Sequence, residues 1–118
     1  MTHDVYNLYR QAQQLLGDRE AAAAIPLLET AAEQIPGDQT ILRLLALAYY
    51  EAGAFSASES TLRVLVQQDP LDADALHMLG KALERSGRTT EAGHYLRLAA
   101  SLDPAYSVAC STWGGGPV

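Results

Sequence analysis

Three prolines, Pro36, Pro70 and Pro104, stand 34 residues apart, and superposing the chain on that interval aligns much of what lies between them. Leu42 falls on Leu76, Leu45 on Leu79, Ala48 on Ala82, Gly53 on Gly87 and Leu62 on Leu96. A fixed period in this range marks a repeat architecture, in which each unit is one supersecondary element that buries its apolar face only against its neighbours. The period therefore constrains the fold more tightly than composition does.

The punctuation inside each unit says what the element is. Gln68-Asp69-Pro70 and Leu102-Asp103-Pro104 end units, because proline restricts the residue before it and cannot continue a helix. Gly53 and Gly87, near the middle of their units, supply the left-handed backbone with which helices commonly end. Each unit thus reads as two short helices. The predicted spans are about 38–52 and 56–68 in the second unit and about 72–86 and 90–102 in the third. Ser56 and Thr90 are the expected starts of the second helices, with Ser56 and Glu59 spaced as a capping box.

The first unit is looser. Gly17-Asp18 places its turn two residues early, and Arg19 stands where the other units carry glycine. Leu8, Ala12, Leu15, Ala24, Leu28 and Ala31 still recur at helical spacing, which puts helices near 4–17 and 20–34. Large residues beside small ones, Leu45 with Ala46 and Leu79 with Gly80, let neighbouring helices approach closely.

These positions resemble the tetratricopeptide repeat over about residues 5–104. In the third unit Leu76, Leu79, Gly80, Leu83, Ala92, Leu96, Ala99 and Pro104 all match the pattern of that family. The second unit matches with Leu42, Leu45, Ala46, Tyr49, Leu62 and Pro70, and carries Ser58 and Leu65 as acceptable variants. The first departs at Gln11, a position normally apolar, while Leu8, Ala12, Leu15, Ala24, Leu28, Ala31 and Pro36 fit. Terminal repeats are often atypical because one face meets water. The resemblance implies an all-α right-handed superhelix, a solenoid of three helix-turn-helix repeats at about 5–36, 37–70 and 71–104. Residues 105–118 would then be a short partial capping segment and a glycine-rich tail.

The resemblance also implies function: a protein-interaction module, adaptor or chaperone-like, that holds a peptide or helix of a partner in a concave groove lined by the first helix of each unit. The residues so placed are Tyr9, Arg10 and Gln13, then Arg43, Leu44, Leu47 and Tyr50, then His77, Met78, Lys81, Glu84 and Arg85. This lining mixes apolar and basic groups, and Arg43 with Lys81 would suit a carboxylate on the ligand. One subfamily grips acidic chaperone tails through basic and amide residues at positions occupied here by Tyr6, Arg10, Leu44, Asp74 and Met78. Only Arg10 keeps a basic group there, which disfavours that role.

A second expectation concerns the C-terminal end. Tyr106, Val108 and Trp113 either fold back as a cap or leave a face through which the chain self-associates, which makes a homodimer the alternative reading.

Composition narrows the remaining classes. Eight basic against 14 acidic residues give a net charge of −6, so phosphate backbones are repelled and nucleic acid is not an expected partner. No apolar run approaches the length of a membrane span, and the N-terminus lacks a secretory pattern, so a cytoplasmic location without membrane partners is expected. A single cysteine, Cys110, and three isolated histidines offer no metal site, and no nucleophile-base spacing points to an enzyme or a cofactor.

Overall fold

The computed structural model describes residues 4–106 as six helices joined by short turns. They are α1 (Val5–Gly17), α2 (Ala21–Gln34), α3 (Gln39–Glu51), α4 (Phe55–Gln68), α5 (Ala73–Arg85) and α6 (Thr89–Leu102). Each packs chiefly on the next in sequence, and α1 also touches α3. Nearest-neighbour packing of this kind is the expected solenoid of helical hairpins. Residues 104–106 re-enter helical backbone.

The first helix of every hairpin starts on an aspartate. Asp4, Asp38 and Asp72, again 34 residues apart, sit in extended backbone and accept hydrogen bonds from Tyr6 N, Ile41 N and Ala75 N, each at 3.1 Å. Each carboxylate thereby satisfies one of the amide groups that a helix N-terminus leaves without a partner.

The second helices start differently, and here two expectations are corrected. Helices α4 and α6 begin at Phe55 and Thr89, one residue before Ser56 and Thr90, and neither has a side-chain cap. The Ser56–Glu59 capping box does not form, because Ala54 takes the N-cap position and leaves Ser56 inside the helix; the Glu59 oxygens pair with Arg63 and Arg88 instead. The turn itself ties the chain down instead. Ala54 N donates to Tyr49 O at 2.8 Å and Arg88 N to Leu83 O at 2.9 Å across Gly53 (φ 84°) and Gly87 (φ 85°). This is the six-residue closure of a Schellman motif.

The first hairpin obeys the same geometry. Gly17 is the last residue of α1 and not an early turn, and Arg19 itself takes the left-handed position (φ 64°), with Glu20 N donating to Leu15 O at 2.7 Å. The backbone keeps the repeat even where the sequence drops the glycine.

The core alternates large and small residues as the sequence implies. Leu28, Leu62, Leu65, Leu76, Leu79 and Leu83 are fully buried against Ala12, Ala24, Ala46, Ala48, Ala82 and Ala92. At Gly80 the approach is closest: a Cβ there would lie 2.7 Å from Leu96 Cγ and 3.2 Å from Ala92 O. Ser58, fully buried, donates to Ala46 O at 2.9 Å. That bond satisfies the hydroxyl where the other two repeats place alanine (Ala24, Ala92).

Candidate functional site

One face of the solenoid is built by the first helices α1, α3 and α5. An open depression of about 330 Å³ lies across all three, lined by Tyr9 of α1, Thr40, Arg43, Leu44 and Leu47 of α3, and Asp74 and Met78 of α5. Five of the residues expected in the groove, Tyr9, Arg43, Leu44, Leu47 and Met78, thus meet in one place. All five are half-buried, so each presents part of its surface to an incoming side chain.

The other expected residues lie outside that depression. Arg10 packs on the exposed ring of Tyr6, with its guanidinium 5.7 Å from the ring centroid, and Gln13 is exposed. Lys81 reaches Glu84 one turn on at 3.9 Å. Arg85 lies over Phe55 at 4.9 Å and over Tyr50 at 5.8 Å, and the two rings meet edge to face at 5.4 Å. Tyr50 and Arg85 therefore brace the junction of α3, α4 and α5.

Arg43 already holds two carboxylates of its own chain. Its Nη2 donates to Asp72 Oδ2 at 2.6 Å, and its Nη1 donates to Asp72 Oδ1 at 3.3 Å and to Asp74 Oδ2 at 3.0 Å. Asp72 Oδ1 also accepts the capping bond from Ala75 N. Burial pushes the Asp72 carboxyl up, but the Arg43 guanidinium and the Ala75 amide outweigh it and hold the group below the usual carboxylate range. Arg43 is raised in turn, chiefly by the same Asp72 hydrogen bond. The cation that the sequence offers to a ligand is used by its own chain to join the second repeat to the third.

The corresponding place one repeat later is occupied by His77 and Tyr106, which follow Arg43 and Asp72 by 34 residues each. Their rings stack at 4.5 Å with an interplanar angle of 26°, and Tyr106 Oη donates to Asp74 Oδ1 at 2.9 Å. Tyr106 is pushed up to about 12 by burial and by the Asp74 bond. His77 is held below its ordinary value, first by burial and then by Lys81, against the pull of Asp74 and Glu84. Its Nδ1 is buried without a hydrogen-bond partner. Val108 and Trp113, the other residues expected to cap or self-associate, lie outside the described residues, as does most of the expected capping segment 105–118.

A second charged cluster joins α4 to α6. Glu59 is shared by Arg63 and Arg88, each at 2.8 Å, and Glu91 is shared by the same two arginines at 2.9 and 2.7 Å. Arg63 also donates to Tyr95 Oη at 3.2 Å. Sequence reasoning missed this cluster and the role of Asp72, and it placed Asp74 on the first-helix face without its Arg43 and Tyr106 partners. The signals present are the 34-residue recurrence of Asp4, Asp38 and Asp72 and the i,i+4 spacing of Glu59 and Arg63.

Among the described residues no group of three or more His, Cys, Asp or Glu is placed to hold a metal, and no helix is long and apolar enough to cross a membrane.

Two tetratricopeptide-repeat family models match the chain, one over residues 15–83 and one over residues 73–106. No curated protein matches it. Among solved structures, YrrB, described as a TPR protein with an unusual peptide-binding site, superposes with a TM-score of 0.85 at 20% identity over 92% of this chain and 56% of its own. MamA from AMB-1 superposes with a TM-score of 0.80 at 20% identity over 86% of this chain and 60% of its own. MamA from MSR-1 gives 0.78 at 22% identity over 86% and 59%. The chain thus spans somewhat over half the length of these proteins, and at such identities the likeness is one of fold.

Proposed function

Because the chain belongs to the tetratricopeptide-repeat family, a fold that serves protein–protein interaction, we propose that it holds a peptide or helix of a partner protein across α1, α3 and α5. The observation that carries this reading is the depression in which Tyr9, Leu44, Leu47 and Met78 converge from three helices of three repeats. Apolar side chains left half-exposed in a concavity on a rigid scaffold form the usual anchor pocket of a binding site. That YrrB is a repeat protein of the same fold with a peptide-binding site supports a peptide as the ligand class.

In this reading Tyr9, Leu44, Leu47 and Met78 receive the anchor and Thr40 offers a hydroxyl at the rim. Arg43 is a wall of the site and not its anion hook. Arg10, Gln13, Lys81 and Arg85 flank the depression along the first helices and contact only a longer ligand. The role is that of an adaptor or chaperone-like module, with binding and not catalysis as its activity.

Self-association through the C-terminal end is the less favoured reading, since the Tyr106 ring and hydroxyl are spent on His77 and Asp74 of the same chain. Affinity capture with the wild-type chain and with Leu47→Asp tests the groove directly. Partners retained by the first and lost by the second support it; an identical set retained by both sinks it.

A further inference from the structure

The charges around the depression say what kind of segment it accepts. Arg43 and Asp74 are the charged side chains that line it, and Asp72 stands behind Arg43. One positive group against two negative ones leaves this triad with a net charge of −1. The two carboxylates are not equivalent. The Asp72 side chain is only 13% exposed and is held twice, by Arg43 and as the cap of α5, whereas that of Asp74 is 49% exposed.

A ligand carboxylate seeking Arg43 would have to displace Asp72, breaking the close 2.6 Å pair and competing with the charge of a carboxylate that also caps α5. A ligand cation needs no such rearrangement. The Asp74 oxygens accept one hydrogen bond each, from Arg43 and from Tyr106, and each retains acceptor capacity toward solvent. Lys81, another cation expected on this face, pairs with Glu84 and is not among the residues that line the depression.

Building on the groove reading above, we infer that the depression takes an apolar anchor flanked by lysine or arginine and discriminates against the same anchor flanked by aspartate or glutamate. The occupant is a basic amphipathic segment of a partner protein, its apolar side chains on Leu44, Leu47 and Met78 and its cation on Asp74. The overall charge of −6 adds a long-range attraction in the same sense.

Two fluorescein-labelled helical peptides, 14 residues long, with leucines at i and i+4 and either lysine or glutamate at the flanking positions, test this by anisotropy. The lysine peptide should bind about fivefold more tightly at low ionic strength, with the difference shrinking at high salt, as expected of a half-exposed ion pair. Asp74→Asn should remove most of the preference, leaving only the part that the overall charge supplies, while an uncharged serine-flanked peptide still binds. Tyr106→Phe, which removes a hydrogen bond from Asp74 but no charge, should keep the preference. Equal binding of the two peptides to the wild type, tighter binding of the glutamate peptide, or a preference undiminished by Asp74→Asn overturns the inference while leaving the groove in place. If none of the three peptides binds in a manner sensitive to Leu47→Asp, the groove reading fails with it.

Discussion

Asp72 uses one carboxylate to close the first turn of α5 and to grip Arg43 of α3 in a two-pronged pair, so a helix cap and a seam between repeats are the same side chain. Asp38, its equivalent one repeat earlier, caps α3 in the same way, and the residue 34 positions before Arg43 is Tyr9, which offers no cation for a second such pair. The two aspartates therefore separate the contribution of the cap from that of the seam.

Asp38→Ala should cost about 1 kcal/mol, the usual value of an N-cap. Asp72→Ala should cost about 2–4 kcal/mol, since it also removes charge-assisted bonds worth about 1.5–3 kcal/mol. Urea unfolding of both variants checks this. Equal losses would mean that the Arg43 pair contributes nothing beyond its geometry.

Arg19 is held at φ 64° where Gly53 and Gly87 occupy the equivalent turns. A side chain in that conformation is strained, and glycine relieves the strain at some cost in the entropy of the unfolded chain. Arg19→Gly is expected to raise stability by about 0.5–1 kcal/mol, read as a higher urea midpoint. A loss of stability would show that the Arg19 side chain makes a compensating contact.

At Gly80 a Cβ would already fall 2.7 Å from Leu96, so Gly80→Leu must push α5 and α6 apart. Overpacking of a filled core costs about 1–3 kcal/mol. Pairing it with Leu96→Ala should recover part of the loss, and simple additivity of the two substitutions would contradict direct contact.

His77 gives the molecule a pH dependence whose sign follows from its environment. Burial and Lys81 hold its folded value below the ordinary 6.5, so as pH falls the unfolded chain takes the proton first. Stability contributed by neutral His77 is complete above about pH 6.5 and declines as the pH drops below it. Thermal melts between pH 7.5 and 5.5 should fall further for the wild type than for His77→Phe, which keeps a ring for Tyr106 to stack on. Parallel curves would place His77 in an environment like water. At the alkaline end, Tyr106 and Tyr49 are each raised to about 12, so a spectroscopic titration should find two of the tyrosines ionising late.

The fold was legible because its signals are local and repeated. Proline, glycine and leucine recur at the repeat interval, and each helix falls within a residue or so of the span that this spacing predicts. The errors were also local. At α4, Ser56 and Glu59 have the spacing of a capping box, but the tight turn at Gly53 brings the chain into the helix a residue early, and the arginines of the following turns claim Glu59. In the first hairpin a missing glycine suggested a shifted turn, whereas packing of both helices fixes the turn and Arg19 bears the strain.

The site was half legible for a different reason. Which residues lie on the first-helix face is what the resemblance to the repeat family implies, and Tyr9, Leu44, Leu47 and Met78 do converge there. Whether a charge on that face is free depends on what stands opposite it in the next repeat. Arg43 meets Asp72 and Asp74 from 29 and 31 residues away, a pairing set by the stacking of hairpins and not by spacing along any one helix. The stack of Tyr106 on His77 follows from the same superposition of neighbouring repeats.

Whether the first-helix depression is the binding site is decided by mapping backbone amide chemical shifts on titration with the lysine-flanked peptide. Perturbations centred on Tyr9, Leu44, Leu47 and Met78, and lost in Leu47→Asp, are the predicted result. Perturbations centred on the exposed Leu98 and Leu102 of α6, with the depression unmoved, would place the binding site elsewhere.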